Sequence, residues 1–201
     1  MADLCPWRIR MDWLGFLSYI LSTAYTPGPN NLASMSNAAR AGLKKGIKFN
    51  FGIYTAQIVM SVTVALFCSV LSRFIDSAML PMKIAGSLYI LWLACKTFKG
   101  GSLDSKGTDG SFWSGFTLCL LNVKYLLMIV VSMELYVLPA YPGSTLAAVC
   151  FALIIATIGF SAHFTWAVCG GALKNLFEKH GKVMNTVFAL MLVWCAVKML
   201  M

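Results

Sequence analysis

"AYTPGPNN", residues 24–31, sets two prolines, a glycine and two asparagines inside an apolar run that otherwise reads as helix. Residues 13 to 26 would reach roughly 21 Å as a helix, short of the ~30 Å of hydrocarbon in a bilayer. If the run crosses a membrane, the prolines therefore lie within it. Pro27 and Pro29 each lack an amide donor and obstruct the preceding turn, while Gly28 frees the backbone to turn. The helical ladder is predicted to open there. Peptide groups freed in lipid are tolerated only when buried in protein or facing a wet cavity. The opening would leave carbonyls at residues 22–26 on one half-helix end and amides at 30–33 on the other. One end attracts an ammonium and the other a carboxylate, a pair that suits a zwitterion. A plain proline kink satisfied by neighbouring helices is the alternative that this segment leaves open.

The composition places this run in a membrane. The chain has 201 residues, 59% of them hydrophobic and 11% charged, with a mean hydropathy of +0.77, too apolar for an ordinary soluble domain. The net charge is +9, with 16 Lys and Arg against 7 Asp and Glu. Nearly all the basic residues fall in short gaps between apolar runs, which favours anionic lipid headgroups as partners over nucleic acid. Of seven cysteines, Cys68, Cys95, Cys119, Cys150, Cys169 and Cys195 lie in apolar runs and no Cys-x-x-Cys occurs. They read as small buried hydrophobes, with no metal site. Arg8 and Arg10 ahead of an apolar stretch imitate a signal peptide, but the apolar pattern continues through the cleavage region, so the segment is expected to be retained.

Six stretches are long and apolar enough to span or nearly so: 13–38, 49–72, 78–98, 112–138, 145–170 and 183–201. The gaps are "ARAGLKKGIK" (39–48), "SRFIDS" (72–77), "KGGSLDSKGTDG" (99–110), "PAYPGS" (139–144) and "KNLFEKHGK" (174–182). The gap at the chain's midpoint reads as a flexible linker. The organisation expected is thus a first three-helix repeat at 1–98, a cytoplasmic linker at 99–111 and a second repeat at 112–201. "WLGF" at 13–16 recurs as "WSGF" at 113–116, and "LWLACK" at 91–96 as "VWCAVK" at 193–198. An odd number of spans per half makes the second half enter from the opposite face, an inverted repeat. Arg40, Lys44, Lys45, Lys48, Lys96, Lys99, Lys106, Lys174, Lys179 and Lys182 cluster on one side; Arg8, Arg10, Arg73, Lys83 and Lys198 lie on the other. The positive-inside rule places the larger group in the cytoplasm and both termini outside.

Within the fourth stretch, "LLNVKYLL" (120–127) carries Lys124 close to mid-span, too deep to snorkel and in need of an acceptor. Exposed carbonyls of the broken first span, or a substrate carboxylate, would serve, with Asn122 adding hydrogen bonds. A structural cross-brace to helix-end carbonyls is the competing role. Gln57 in the second span either lines a cavity or bonds to neighbouring backbone. His163 in the fifth is a candidate to titrate in a transport cycle, against a packing histidine. Glu134 near the end of the fourth is an interfacial charge or a proton carrier. Trp13, Trp92, Trp113 and Trp194 sit near span ends and read as interfacial anchors.

With "TPGPNN", "GIYTAQ" (52–57), "AGSLYILWLACKTFK" (85–99) and "FWSGFTLCLLNVKYLLM" (112–128), the chain resembles the lysine exporter and homoserine/threonine resistance superfamily of bacterial amino-acid efflux proteins. The doubled asparagine and "NVK" make it most similar to the cysteine/O-acetylserine exporter branch. The resemblance implies amino-acid export across the inner membrane, driven by proton exchange. It puts Thr26, Pro27, Gly28, Pro29 and Asn30 on the first family motif and Asn122 and Lys124 on the second. Val123 replaces the usual proline, which predicts a less broken fourth helix. Gln57 stands where many members carry aspartate, which removes a titratable partner and fits a substrate of zero net charge.

The expectation is an all-α polytopic membrane protein of six transmembrane helices in two inverted three-helix repeats, the first helix broken at TPGPN. It would be a secondary-active exporter of small neutral amino acids in the bacterial inner membrane, without a cofactor, its partners being a zwitterionic substrate and lipid; a homodimer stays open. Asn30, Asn31, the amides after Pro29 and Lys124 would hold the carboxylate, and the carbonyls at 22–26 the amine. A passive channel or a membrane scaffold are the rivals. An intramembrane enzyme finds no His-Glu-x-x-His, no paired aspartates at membrane depth and no phosphate loop in its favour.

Overall fold

The structure, a computed structural model, describes residues 11–98 and 110–200. All the regular elements among them are helical: α1 Trp13–Tyr25, α2 Pro29–Ala41, α3 Leu43–Phe98, α4 Phe112–Leu120, α5 Val123–Ser132, then a π turn Met133–Val137 and α6 Leu138–Ala140, α7 Thr145–Ala172 and α8 Lys174–Leu200. The expected linker, apart from Gly110 and Ser111, lies outside the described residues, as do Cys5, Arg8, Arg10, Lys99 and Lys106. Four helical segments are long and apolar enough to cross a membrane, Gly46–Phe67, Val123–Ala140, Thr145–Ala172 and Lys179–Val197; Lys83–Cys95 is a shorter apolar one.

α3 is continuous where the sequence predicts a loop at 72–77, and its non-helical residue is Phe67. Nothing in "SRFIDS" forbids helix, since it has neither proline nor glycine. The two legs nevertheless fold back. Gly52 meets the backbone of Phe112 and Phe116, while the Tyr89 hydroxyl bonds the Ser114 carbonyl at 3.2 Å. In a straight helix Gly52 and Tyr89 would lie roughly 55 Å apart, whereas α4 has nine residues. α8 likewise extends helix through the predicted gap at 174–182, with its irregularity at His180.

α1 buries Phe16, Ile20 and Ala24, one residue per turn, and exposes Leu14 and Leu21 on the other face, Leu14 to 79%. An outward leucine face is ordinary in lipid and a liability in water. Burial inside protein is therefore a poor guide to apolarity here. Cys119 and Cys195 are buried as expected, but Cys95, Cys150 and Cys169 lie on the outer surface as free thiols, a correction to their reading as interior residues. α2 has the opposite character: ten of its thirteen residues are buried, and they include Asn30, Asn31, Ser34, Ser36 and Asn37. It is the central helix, packed against α3, α7 and α8. A buried helix this polar needs partners or a polar cavity.

Candidate functional site

α1 ends where its sequence stops being able to continue. Thr26 precedes proline and takes an extended backbone, ψ 144°, as the Pro27 ring requires. Gly28 caps α2 and Pro29 occupies its first turn, the position where a missing amide costs nothing. No side chain caps this helix start, so the amides of Asn30 and Asn31 are left for another acceptor.

The carbonyls shed by the end of α1 are taken up inside the protein. The Thr26 hydroxyl donates to Ser22 and Thr23 carbonyls, each at 2.9 Å. Asn31 Nδ2 donates to the carbonyls of Ala24 at 2.8 Å and Thr26 at 2.9 Å. Trp166 Nε1 donates to Tyr25 at 3.2 Å. Lys124 Nζ donates to the Thr26 carbonyl at 2.9 Å and hydroxyl at 3.1 Å. Asparagine, tryptophan and lysine side chains thus already reach the carbonyls that the sequence reading assigns to a substrate amine. Gly28 is glycine for room, its φ of −159° being open to any residue; a Cβ there would lie 3.1 Å from Lys124 Nζ and 3.2 Å from its Cδ.

The second motif breaks as well. α4 ends at Leu120 and α5 starts at Val123, so the helix is interrupted here although valine stands at position 123. Asn122 does without proline what proline does elsewhere: its side chain accepts from the Tyr125 amide and caps a new helix. Lys124 lies in the first turn of α5, half-buried.

Three buried side chains join the two motifs to α7. His163 Nδ1 bonds Asn31 Oδ1, and its Nε2 faces Gln57 Nε2 at 2.7 Å. With the amide nitrogen of Gln57 as donor, Nε2 accepts and Nδ1–H donates to Asn31. Gln57 Oε1 is buried without a hydrogen bond. Tyr125 closes the set, its hydroxyl 2.9 Å from Ser61 Oγ.

Two cavities meet at Gly28 and Lys124. The smaller, about 20 Å³, has Asn30, Asn31, Gln57, Asn122, Tyr125 and His163 on its wall. The larger, about 470 Å³, has Tyr19, Pro27, Pro29, Lys83, Trp194 and Cys195. Thr23, Gly28, Lys124 and Met128 face both. Neither wall has an aspartate or glutamate, while the starts of α2 and α5 both point at the smaller one. Two helix N-termini and an ammonium make a site for negative charge.

Of the sequence-predicted residues, Pro27, Gly28, Pro29, Asn30, Asn31, Gln57, Asn122, Lys124 and His163 all come to these walls. Thr26 stands behind them, holding Lys124. Glu134 is exposed in the π turn and lines neither cavity. Sequence reasoning missed Tyr19, Thr23, Lys83, Tyr125 and Cys195, and took Trp194 for an interfacial anchor although it lines the larger cavity. Tyrosine, threonine and cysteine at these places look like any residue of an apolar helix; only the four-residue spacing of Tyr19 and Thr23, on the face leading to the break, could have drawn attention.

Long apolar helices around a polar cavity built from helix starts define a polytopic membrane protein. The chain belongs to the LysE-type translocator family, whose model matches residues 21–201. It is 33% identical over 187 residues to proteins named cysteine/O-acetylserine efflux protein from Escherichia coli strain K12 and from Shigella flexneri, covering 91% of this chain and 94% of theirs. No solved structure matches it.

Proposed function

We propose that the protein exports small zwitterionic amino acids or their derivatives, of the cysteine and O-acetylserine kind, across the bacterial inner membrane in exchange for protons. The observation that carries this is the convergence of the α2 and α5 starts, with the Lys124 ammonium, on one cavity whose wall holds no acidic side chain. The substrate carboxylate sits against the Asn30 and Asn31 amides and Lys124. Its ammonium lies in the larger cavity, on the Trp194 ring face and the hydroxyls of Tyr19 and Thr23. The names of the curated relatives support the substrate class.

In this reading residues 1–98 and 112–201 are inverted repeats of three crossings each, joined by residues 99–111, and each repeat opens with an interrupted helix. TPGPN breaks the first crossing, and the fold-back around Phe67 separates the second from the third. His163 is the proton carrier in preference to Glu134, because it touches both Asn31 of the substrate site and Gln57. A proton taken at Nε2 turns the Gln57 amide over, bringing the unpartnered Oε1 to accept it. The Asn31 hydrogen bond then tightens on an imidazolium, which couples the proton to the α2 start.

The test is uptake of labelled O-acetyl-L-serine into inverted membrane vesicles under an imposed pH gradient. Saturable uptake that the gradient drives above equilibrium is expected, and passive equilibration would reject an exchanger in favour of a channel. Lys124→Met should weaken binding about ten- to a hundredfold, the equivalent of hydrogen bonds to a charged group. Unchanged affinity in that variant would leave Lys124 as a cross-brace to Thr26.

A further inference from the structure

The wide cavity is only half of a path. Its wall comes from α1, α3 and α8, through Tyr19, Lys83, Trp194 and Cys195, together with the two helix breaks. The molecule also holds a third, nearly closed cavity of about 10 Å³, walled by Ala33, Ser36, Asn37, Arg40, Leu93, Thr97 and Leu192. It lies further along the same helix. Asn30, Ala33, Asn37 and Arg40 follow one another at helical spacings of three and four, so a single stripe of α2 runs from the substrate cavity to this one. Ten residues of helix cover roughly 15 Å, about half the hydrocarbon thickness.

The stripe is closed and its polar atoms are stranded. Both side-chain amide atoms of Asn30, Ser34 Oγ and Ser36 Oγ are buried with no hydrogen-bond partner, although Asn30 is 2% exposed and Ser34 fully covered. These are four of the seven such atoms among the described residues. A helix that only packs has no use for them, because buried unpaired polar groups oppose folding. A helix that lines water or a polar solute for part of a cycle regains their hydrogen bonds when it opens.

We propose that the α2 stripe of Asn30, Ala33, Asn37 and Arg40, with Ser34 and Ser36 beside it, is the cytoplasmic half of the substrate path, shut in this structure while the outer half stands open. Small zwitterionic solutes of zero net charge would climb it from Arg40 at the mouth to the amides at Asn30. This rests on the transport reading and extends it by naming the route. The apolar residues Leu93 and Leu192 across the third cavity form the face that separates when the path opens.

Single cysteines test it in the otherwise native chain, in inverted vesicles whose cytoplasmic face is outward. A membrane-impermeant maleimide is added, and labelling is counted as mass increments over the parent. Ser36→Cys and Asn37→Cys, 4% and 7% exposed, are expected to label at least tenfold faster than Ala38→Cys and Ala39→Cys, which are fully covered and do not line the cavity. O-acetyl-L-serine should change the rate at the first pair and not at the second. Equal rates at all four positions, or labelling confined to vesicles of the opposite orientation, overturns the proposal. Position selectivity without a response to O-acetyl-L-serine supports the path and counts against the substrate, so the two readings fail separately. Asn37→Leu gives a second measure: uptake is expected to be lost while O-acetyl-L-serine still raises the melting temperature, and undiminished uptake would count against the path. If that variant fails to fold, the smaller Ser36→Val takes its place with the same two readouts.

Discussion

Lys124 shows how one side chain serves two half-helices. Its ammonium holds the Thr26 carbonyl of the α1 end and belongs itself to the first turn of α5. Gly28 is what lets it through, since a Cβ there would lie 3.2 Å from the lysine Cδ. Gly28→Ala should therefore displace the ammonium from Thr26 without altering the backbone, which is extended at that point. Export is expected to fall while the protein stays folded in the membrane; wild-type export rates would show that the lysine has slack to spare. His163 sits between Gln57 and Asn31, and His163→Gln keeps an amide that can hydrogen-bond to Asn31 but removes the proton site. Binding of O-acetyl-L-serine is expected to persist and accumulation driven by a pH gradient to vanish. Loss of both together would mark His163 as a packing residue instead. Lys124 was legible because an ammonium at mid-span demands an acceptor. The link from His163 through Asn31 to Ala24 and Thr26 was not, because it joins residues more than a hundred positions apart by side-chain geometry that no local pattern encodes.

Among the elements, α3 and α4 approach most closely where Gly52 and Gly115 interlock. A Cβ on Gly52 would strike the Phe112 carbonyl, and one on Gly115 the Phe49 carbonyl. Both obstacles are backbone, which cannot swing aside as a side chain can. Small residues at a helix crossing allow such an approach and the packing it brings in lipid. Gly115→Ala should cost about 1–3 kcal/mol, the usual effect of overpacking, seen as a lower melting temperature in detergent. An unchanged melting temperature would mean that the helices separate freely. The breaks divide by cause. TPGPN was legible, since proline forbids both the amide bond and the preceding helical residue. The break before Val123 was not, because a capping asparagine is common inside and outside helices and only its context makes it a terminus. Phe67 left no signal, having neither proline nor glycine beside it, whereas His180 falls inside the predicted gap at 174–182 and directly before Gly181.

At the scale of the whole molecule, the halves are threaded through each other. Phe49 and Gly52 lie against α4, Ser87 bonds the Ala196 carbonyl at 3.2 Å, Gly170 meets Met35, and His163 reaches Asn31. Rocking of one intact half against the other would break all of these together, so the proposed transport cycle is better served by movement of helices on either side of the α2 stripe. Six crossings, as the proposed reading has it, would return the C-terminus to the side of the N-terminus. The ten basic residues of the 39–48, 96–106 and 174–182 regions outnumber the five of the other side. Charge of this kind resists translocation, so that reading predicts the loop sides in the cytoplasm and both ends outside. Alkaline phosphatase fused after residue 201 should be active in cells, and green fluorescent protein fused there dark. Neutralising Lys44, Lys45 and Lys48 together should weaken that asymmetry and yield a mixed population in which both reporters register. A bright fluorescent fusion on the unaltered chain would reverse the membrane orientation, and with it the direction in which the closed α2 stripe and the open cavity face.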